Sequence, residues 1–273
     1  MPTAFLSSEE YDERAQQLYD QGKYEGALGL LREGLELYPN AVDLYVGFAY
    51  AHLAREDFAW AKSAFEKAIL LDVRNEDALV GLGETLLRVG RHAAALDAFA
   101  DARQGAAGSD PAILMSIGRA LYREGLAPQA REVFLEVLEI APQIAQAHAG
   151  LAYTFHMDGQ PRRARAALRR ALELEPLLHE ARVFLGHVLY EAARWEAALS
   201  EYRAVPAAEH WDPLAVRRVL ELAAALEGAA SGDPRAAPWE AHLRVLEEGE
   251  SYVDRLLAEI EARGVSAEET RAD

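Results

Sequence analysis

The 273-residue chain contains no cysteine. That absence excludes disulfide bridges, thiolate nucleophiles and the cysteine-based zinc and iron–sulfur sites. Basic residues are also scarce, because 28 Lys and Arg stand against 45 Asp and Glu and give a formal net charge of -17 at pH 7. The electric field of a negatively charged surface repels nucleic acid and anionic lipid, so we expect the chain to bind neither.

Long apolar runs are missing as well. The first residues, MPTAFLSSEEYDER, lack a basic region followed by an apolar stretch, so no secretory signal is recognisable. No segment approaches the ~20 consecutive apolar residues that cross a bilayer. Hydrophobic residues nevertheless make up 51% of the chain, which is enough for a folded core. We therefore expect a soluble protein of the cytoplasm.

Recognisable catalytic motifs are absent. The sequence has no phosphate-binding GxxxxGK[ST] loop, no GxSxG elbow and no HExxH zinc motif. Gly81 and Gly83 lie in GLGETL, but the third glycine of a dinucleotide-binding loop is missing. Histidines that share a predicted helix are eight residues apart, which is ~12 Å along the axis and too far for easy chelation of one ion. We therefore predict no enzyme, no cofactor and no metal site.

The chain does contain a repeat. Six alanines recur at intervals of 34 or 35 residues: Ala27, Ala61, Ala95, Ala130, Ala164 and Ala198. Four residues after each alanine comes a large side chain: Leu31, Phe65, Phe99, Phe134, Leu168 and Tyr202. Twelve residues before each lies a small one: Ala15, Ala49, Gly83, Gly118, Ala152 and Gly186. Positions three, four and seven apart share one face of a helix, so each unit is predicted to contain two closely packed helices.

This pattern resembles the tetratricopeptide repeat family, whose 34-residue unit is a helix-turn-helix. The resemblance implies an all-α, right-handed α-solenoid of six helical hairpins within residues 1–212. The six repeats would span 8–41, 42–75, 76–110, 111–144, 145–178 and 179–212. The terminal proline of the family pattern is present at Pro39, Pro142 and Pro176, whereas other residues replace it at Val73, Ala107 and His210.

Local signals predict where helices begin. Ser7 and Glu10 are spaced as a capping box for the first helix. Asp110 can cap a later helix that Pro111 begins, since aspartate accepts hydrogen bonds from free N–H groups and proline has none to lose. Both signals stand at the start of predicted repeats.

The C-terminal region lies outside the repeats. Residues 213–262 are predicted to form helices that cap the last repeat, one ending near 226 and another spanning about 238–262. The intervening segment, 228–238, contains glycine and proline and is expected to be a surface loop. Residues 263–273 are expected to be disordered.

In the family that the chain resembles, the first helix of each repeat lines a concave groove. The family's groove positions correspond in this chain to Val46, Tyr50, Val80, Glu84, Arg88, Met115, Arg119, Tyr122, Arg123, Tyr153, His156, Val183, His187 and Tyr190. The resemblance thus implies an apolar and aromatic groove with a basic middle, where three arginines oppose Glu84. Tyrosine and arginine are frequent hot spots of interfaces. Packing against the next repeat is the alternative role for each tyrosine.

The resemblance implies a non-catalytic adaptor or scaffold that binds a partner polypeptide in this groove. A segment with aliphatic or aromatic anchors and acidic side chains would complement the lining, because arginine pairs with carboxylates. One branch of the family clamps chaperone tails with lysine and asparagine, whose places are taken here by Asp12, Gln16, Val46 and Tyr50. That ligand is therefore not expected.

Self-assembly is the alternative function. In that case the groove, or an apolar stripe of the last helix containing Tyr252, Leu256 and Ile260, would pair with a second copy of the chain.

Five arginines cluster in the second helix of the fifth repeat: Arg162, Arg163, Arg165, Arg169 and Arg170. Arg162, Arg165 and Arg169 are spaced to share one helix face. The cluster is either a site for phosphate or an acidic partner or an ordinary solvated surface, since second helices usually face outward.

Overall fold

The fold was obtained as a computed structural model, which describes residues 6–104 and 110–248. Within these ranges the chain forms thirteen α-helices and one short 3-10 helix, is helical again over 237–248, and contains no β-strand. The predicted all-α class is therefore confirmed. The chain divides into two compact units, one ending at Asp158 and the other beginning at Gly159.

The first unit contains nine α-helices among its described residues. They are α1 (Ser8–Asp20), α2 (Tyr24–Leu37), α3 (Val42–Ala54), α4 (Phe58–Leu71), α5 (Glu76–Arg88), α6 (His92–Arg103), α7 (Pro111–Arg123), α8 (Ala127–Ile140) and α9 (Ala145–Met157). The pairs α1 and α2, α3 and α4, α5 and α6, and α7 and α8 pack as hairpins. The odd-numbered helices also contact one another in succession from α1 to α9. We call the surface of these five helices the inner wall.

Two helices of this unit, α1 and α7, begin with the caps that the sequence predicts. The Ser7 hydroxyl accepts from the Glu10 backbone N–H at 3.2 Å, and the Glu10 carboxylate accepts from the Ser7 N–H at 2.8 Å, which confirms the capping box. The Asp110 carboxylate accepts from the Ala112 N–H at 2.8 Å, with Pro111 in the first turn of α7. These bonds satisfy N–H groups that have no partner inside the helix.

Large side chains packed against glycine hold the helix pairs together. Phe65, Phe99 and Phe134 are almost completely buried. A methyl group placed on Gly83 would come within 2.3 Å of the Phe99 ring, and one on Gly118 within 2.7 Å of Phe134. The recurring pattern of small and large residues therefore produces the close helix approach that it predicts, with the aromatic ring occupying the space that a side chain on glycine would need.

The second unit contains α10 (Pro161–Leu174), α11 (His179–Glu191), α12 (Trp195–Arg203), the 3-10 helix Ala207–Glu209 and α13 (Pro213–Glu227) among its described residues. Helix α11 contacts α10, α12 and α13. Tyr202 is fully buried and lies 2.5 Å from a methyl group placed on Gly186, as in the hairpins of the first unit. Gly228 directly follows α13, and its φ of 67° is the left-handed conformation that favours glycine at the end of a helix.

Several expectations for the C-terminus lie outside the described residues. Helix 237–248 begins close to the predicted start of the last helix, but the rest of the range to 262 and the tail 263–273 are not described. The same holds for Tyr252, Leu256 and Ile260, which the self-assembly hypothesis places in an interface.

Candidate functional site

Most of the predicted groove residues in the first unit are at least partly accessible on the inner wall. Exposed or half-buried side chains are Val46, Tyr50, Glu84, Arg88, Arg119, Tyr122, Arg123, Tyr153 and His156. They lie on α3, α5, α7 and α9, which are neighbours in the packing. The inner wall therefore presents polar and aromatic side chains from four helices that are neighbours in space.

Three of the predicted lining residues are buried in the structure. Val80 is 2% exposed and Met115 is 7% exposed, and both belong to the apolar core around α5 and α7. In the second unit, Val183 is 3% exposed. Their side chains turn into the contacts between helices and contribute to stability instead of offering surface to a partner.

Tyr50 is fixed in position by its neighbours. Its hydroxyl donates a hydrogen bond to the backbone carbonyl of Asp77 at 3.2 Å. Its ring packs edge-on against Phe65, with centroids 5.0 Å apart. Burial raises the pKa of the Tyr50 hydroxyl, and the negative charges of Glu84 and Asp77 raise it further. The phenol therefore stays neutral and serves as a rigid surface.

Arg88 pairs with two carboxylates other than that of Glu84. Its guanidinium donates to the Glu56 carboxylate at 2.5 Å and lies 3.9 Å from that of Glu124. It also lies 5.3 Å from the centroid of the Phe58 ring. These partners come from the turns that follow α3 and α7 and from α4, so Arg88 links neighbouring hairpins.

Arg119 and Arg123 keep accessible guanidinium groups on α7. Arg123 is 59% exposed and lies 3.7 Å from Glu84, while Arg119 is exposed and donates to the Ser116 hydroxyl at 3.2 Å. Burial raises the pKa of Glu84, although the nearby Arg123 and Arg119 lower it in part. Because the two arginines are four residues apart, they share one face of the helix.

Two tyrosines stand beside these arginines. The rings of Tyr122 on α7 and Tyr153 on α9 are 5.6 Å apart between centroids and are tilted by 36°. Both side chains are half-buried. Together with Arg119 and Arg123, which lie on the same helix as Tyr122, they form what we call the basic aromatic patch.

A pocket of about 430 Å³ opens at the other end of the inner wall, between α1, α3 and α5. Three carboxylates line it, those of Asp12, Asp43 and Asp77, together with the rings of Tyr19 and Tyr50. Sequence reasoning did not select Asp43 or Asp77 as site residues. Their spacing of 34 residues was the available signal, since it places both at the second residue of an inner helix.

His187 and Tyr190 take part in a polar network inside the second unit. His187 donates through Nε2 to Asp212 at 2.8 Å, and its Nδ1 accepts from the Tyr202 hydroxyl at 2.8 Å. The Arg218 guanidinium lies 2.5 Å from the same Nδ1 and 4.3 Å from the centroid of the Tyr190 ring. The Tyr190 hydroxyl donates to the Glu221 carboxylate of α13 at 2.9 Å. His187 and Tyr190 therefore connect α11 to α13 and to the Asp212 cap.

The Asp212 network makes unfolding of the second unit sensitive to acid. The hydrogen bond from His187 is the main reason that the pKa of Asp212 is lowered, and bonds from the N–H groups of Leu214 and Ala215 lower it further. A carboxylate with a lowered pKa in the folded state stabilises the fold above its unfolded pKa, near 3.9, and this stabilisation is lost as the pH falls through the folded value.

We expect Asp212→Asn to reduce the free energy of unfolding by about 1 to 2 kcal/mol at pH 7, because asparagine keeps the helix cap but loses the charge. Below pH 4 the difference from wild type should shrink. Urea unfolding at both pH values measures it. Asp97→Asn, an exposed change on α6 with the same loss of charge, serves as the control. An equal effect of the two substitutions would show that the Asp212 charge does not specifically stabilise the fold.

The arginine cluster lies on α10. Arg162 and Arg169 are exposed and Arg165 is half-buried. Arg170 pairs with Glu173 at 3.1 Å, and Arg163 donates to the Gln160 side chain at 2.9 Å. Both partners lie three residues away along the chain, which is common for arginines on an exposed helix surface.

Neither a cluster of metal-binding side chains nor a membrane-spanning helix is found in the described part of the chain. No group of three or more histidine, aspartate or glutamate side chains there is arranged to hold a metal ion. Among the same residues, no helix combines the length and apolar character that crossing a bilayer requires.

The fold and the inner wall define a helical-hairpin repeat protein. Models of the tetratricopeptide repeat match residues 13–59, 46–111 and 155–222. These matches together span more than half of the 273 residues, so the chain belongs to the tetratricopeptide repeat family. No curated protein sequence matches it significantly. Membership supports a general role in protein–protein interaction, and the family is typically non-catalytic.

Solved structures of similar fold include pilF of Pseudomonas aeruginosa, which is 19% identical with a TM-score of 0.60 over 80% of this chain and 97% of that one. A tetratricopeptide repeat protein of Parabacteroides merdae is 14% identical with a TM-score of 0.61, over 92% and 97%. PilW, a type IV pilus biogenesis factor, is 15% identical with a TM-score of 0.59, over 84% and 96%. At these identities the likeness establishes the solenoid fold alone.

Proposed function

We propose that the chain is a non-catalytic adaptor that binds a segment of a partner polypeptide along the inner wall of its first unit. One observation carries the proposal: the basic aromatic patch combines two exposed arginines with two neighbouring tyrosine rings on adjacent helices. Tyrosine and arginine are the residues most often responsible for binding energy in protein interfaces.

The proposed mechanism is recognition by a preformed surface. Tyr50 is held by Phe65 and by the Asp77 carbonyl, and α7 and α9 are spaced by the buried Phe134. A surface that is ordered before binding loses little conformational entropy when the partner arrives. The affinity would then depend mainly on the contacts and on the ordering of the partner.

The chemistry of the patch suggests what the partner presents there. Guanidinium groups of Arg119 and Arg123 would pair with a carboxylate, since charge-assisted bonds of this kind are among the stronger ones in proteins. The rings of Tyr122 and Tyr153 would contact an aliphatic or aromatic side chain. The segment proposed for this end of the wall therefore carries an acidic residue next to an apolar anchor.

The triple variant Arg119→Ala, Tyr122→Ala, Arg123→Ala tests this proposal. Partners recovered with the wild-type chain from lysate should be lost, and the dissociation constant for a recovered partner should rise at least about a hundredfold, because two or more hot spots are removed. Quantitative affinity capture followed by titration calorimetry measures both effects.

The matched control is Lys67→Ala, Leu70→Ala, Arg74→Ala, which also removes two cations and one apolar side chain but lies on or just after α4, away from the inner wall. It should retain the partners. Circular dichroism of both variants verifies that they fold. Equal recovery by the wild-type and patch variants would show that the patch does not bind the partner.

A further inference from the structure

The pocket between α1, α3 and α5 has a lining unlike the rest of the inner wall. Its floor is apolar, formed by the buried Ala15, Ala27 and Leu31. The rings of Tyr19 and Tyr50 also line it. We call it the acidic pocket because Asp12, Asp43 and Asp77 supply its charged groups and no lysine or arginine lines it.

These three carboxylates have no ion pair among the described residues, whereas Glu56 and Glu84, on or near the same wall, lie within 4 Å of an arginine. Each carboxylate comes from a different helix, so their charges accumulate only through the packing of α1, α3 and α5. Burial raises the pKa of Asp12 and of Asp77, and the charge of Asp43 raises both further. The pocket therefore carries uncompensated negative charge.

We propose that the acidic pocket receives the ammonium or guanidinium group of a lysine or arginine side chain on the polypeptide segment that occupies the inner wall. Charge complementarity carries the assignment, and the two tyrosine rings in the lining suit a cation, because aromatic rings attract positive charge. The apolar floor suits the aliphatic stem of such a side chain. The inference rests on the proposed function and adds a second contact of opposite sign.

The acidic pocket and the basic aromatic patch together define where the charged residues of the bound segment lie. Its basic residue would lie near α3, and its acidic residue would lie at the basic aromatic patch on α7. Neighbouring helices are ~10 Å apart, so two steps span ~20 Å. An extended chain advances ~3.3 Å per residue, which places the two charged residues about six positions apart.

The experiment is selection of binders to the full-length chain from a displayed library of random 12-residue peptides. Enriched sequences should carry a lysine or arginine about six positions from an aspartate or glutamate. For one synthesised peptide, replacing the basic residue with norleucine or citrulline should raise the dissociation constant about tenfold or more, which is the typical loss for a charge-assisted hydrogen bond.

The pocket is tested with the double variant Asp43→Asn, Asp77→Asn. It should weaken the parent peptide to a similar extent and should weaken the norleucine or citrulline peptide little further, because both changes remove the same contact. Asp97→Asn, an exposed residue of α6, is the control for lost negative charge and should leave binding unchanged. If the double variant does not fold by circular dichroism, Asp12→Asn on α1 is the substitute.

One outcome would contradict the role of the acidic pocket, and another would contradict the proposed function. Peptides that depend on Arg119 and Arg123 but are unaffected by the pocket variants, or that carry no basic residue, would overturn the acidic pocket and leave the proposed function standing. Failure to enrich any peptide, or binding that is indifferent to both ends of the wall, would overturn the proposed function itself.

Discussion

Replacing Phe134 with alanine should lower the free energy of unfolding by about 3 to 5 kcal/mol. Phe134 is 1% exposed in the core shared by α7, α8 and α9. Its ring lies so close to two glycines that a methyl group on Gly118 would come within 2.7 Å of it and one on Gly150 within 2.6 Å. Glycines have no side chain that could fill the vacated volume, so the void should persist.

Leu135→Ala is the matched control, because the adjacent residue of α8 is 45% exposed. Its loss should stay below about 1 kcal/mol. Chemical unfolding followed by circular dichroism measures both variants. The Phe134 substitution should also weaken partner binding, since it loosens the contact that sets the distance between Tyr122 and Tyr153. Similar stabilities for the two variants would show that Phe134 is not a packing centre.

The second large effect is expected from Gly81→Ala, which should destabilise the protein by about 2 kcal/mol or more. Alanine is favoured over glycine inside a helix by about 1 kcal/mol, so helix propensity alone predicts the opposite sign. The added methyl group, however, would lie 2.2 Å from Cζ of Phe65. Phe65 is fully buried and cannot move away without displacing its neighbours, and overfilling a core costs about 1 to 3 kcal/mol or more.

Gly29→Ala separates the two contributions. Gly29 lies in α2 with no neighbouring atom within 4 Å of a methyl group at that position. This substitution should therefore stabilise the protein by about 0.5 to 1 kcal/mol through helix propensity. Thermal and urea unfolding of the two variants should give changes of opposite sign. Stabilisation by both would mean that the contact between Phe65 and α5 can relax.

Sequence reasoning predicted the hairpins because their signal is local. The period of the six alanines and the small and large residues around them depends only on helix geometry, which a single sequence displays. The groove register identified Tyr50, Arg119 and Arg123 as candidates, and these have accessible groups. It did not show that Val80, Met115 and Val183 turn into the core, because burial at those positions is decided by how neighbouring helices pack.

Contacts between distant residues account for the other differences. Arg88 pairs with Glu56, 32 residues earlier in the chain, and Tyr202 and Arg218 meet at His187 from separate helices. No local pattern reveals such partners. The acidic pocket was a different kind of omission, since Asp43 and Asp77 follow the repeat period and could have been selected by comparing the second residues of the inner helices.

The glycines that receive the large rings also restrict how the repeats could be rearranged. Glycine is the sixth residue of α3, α5 and α9, whereas Ser116 and Phe184 hold that place in α7 and α11. The hairpin of α3 and α4, which carries Phe65, fits before a helix with glycine at the sixth residue, whereas the Phe184 side chain of α11 would occupy the space of that ring. Moving the α3–α4 hairpin to a place before α11 would therefore require a substitution at this position as well.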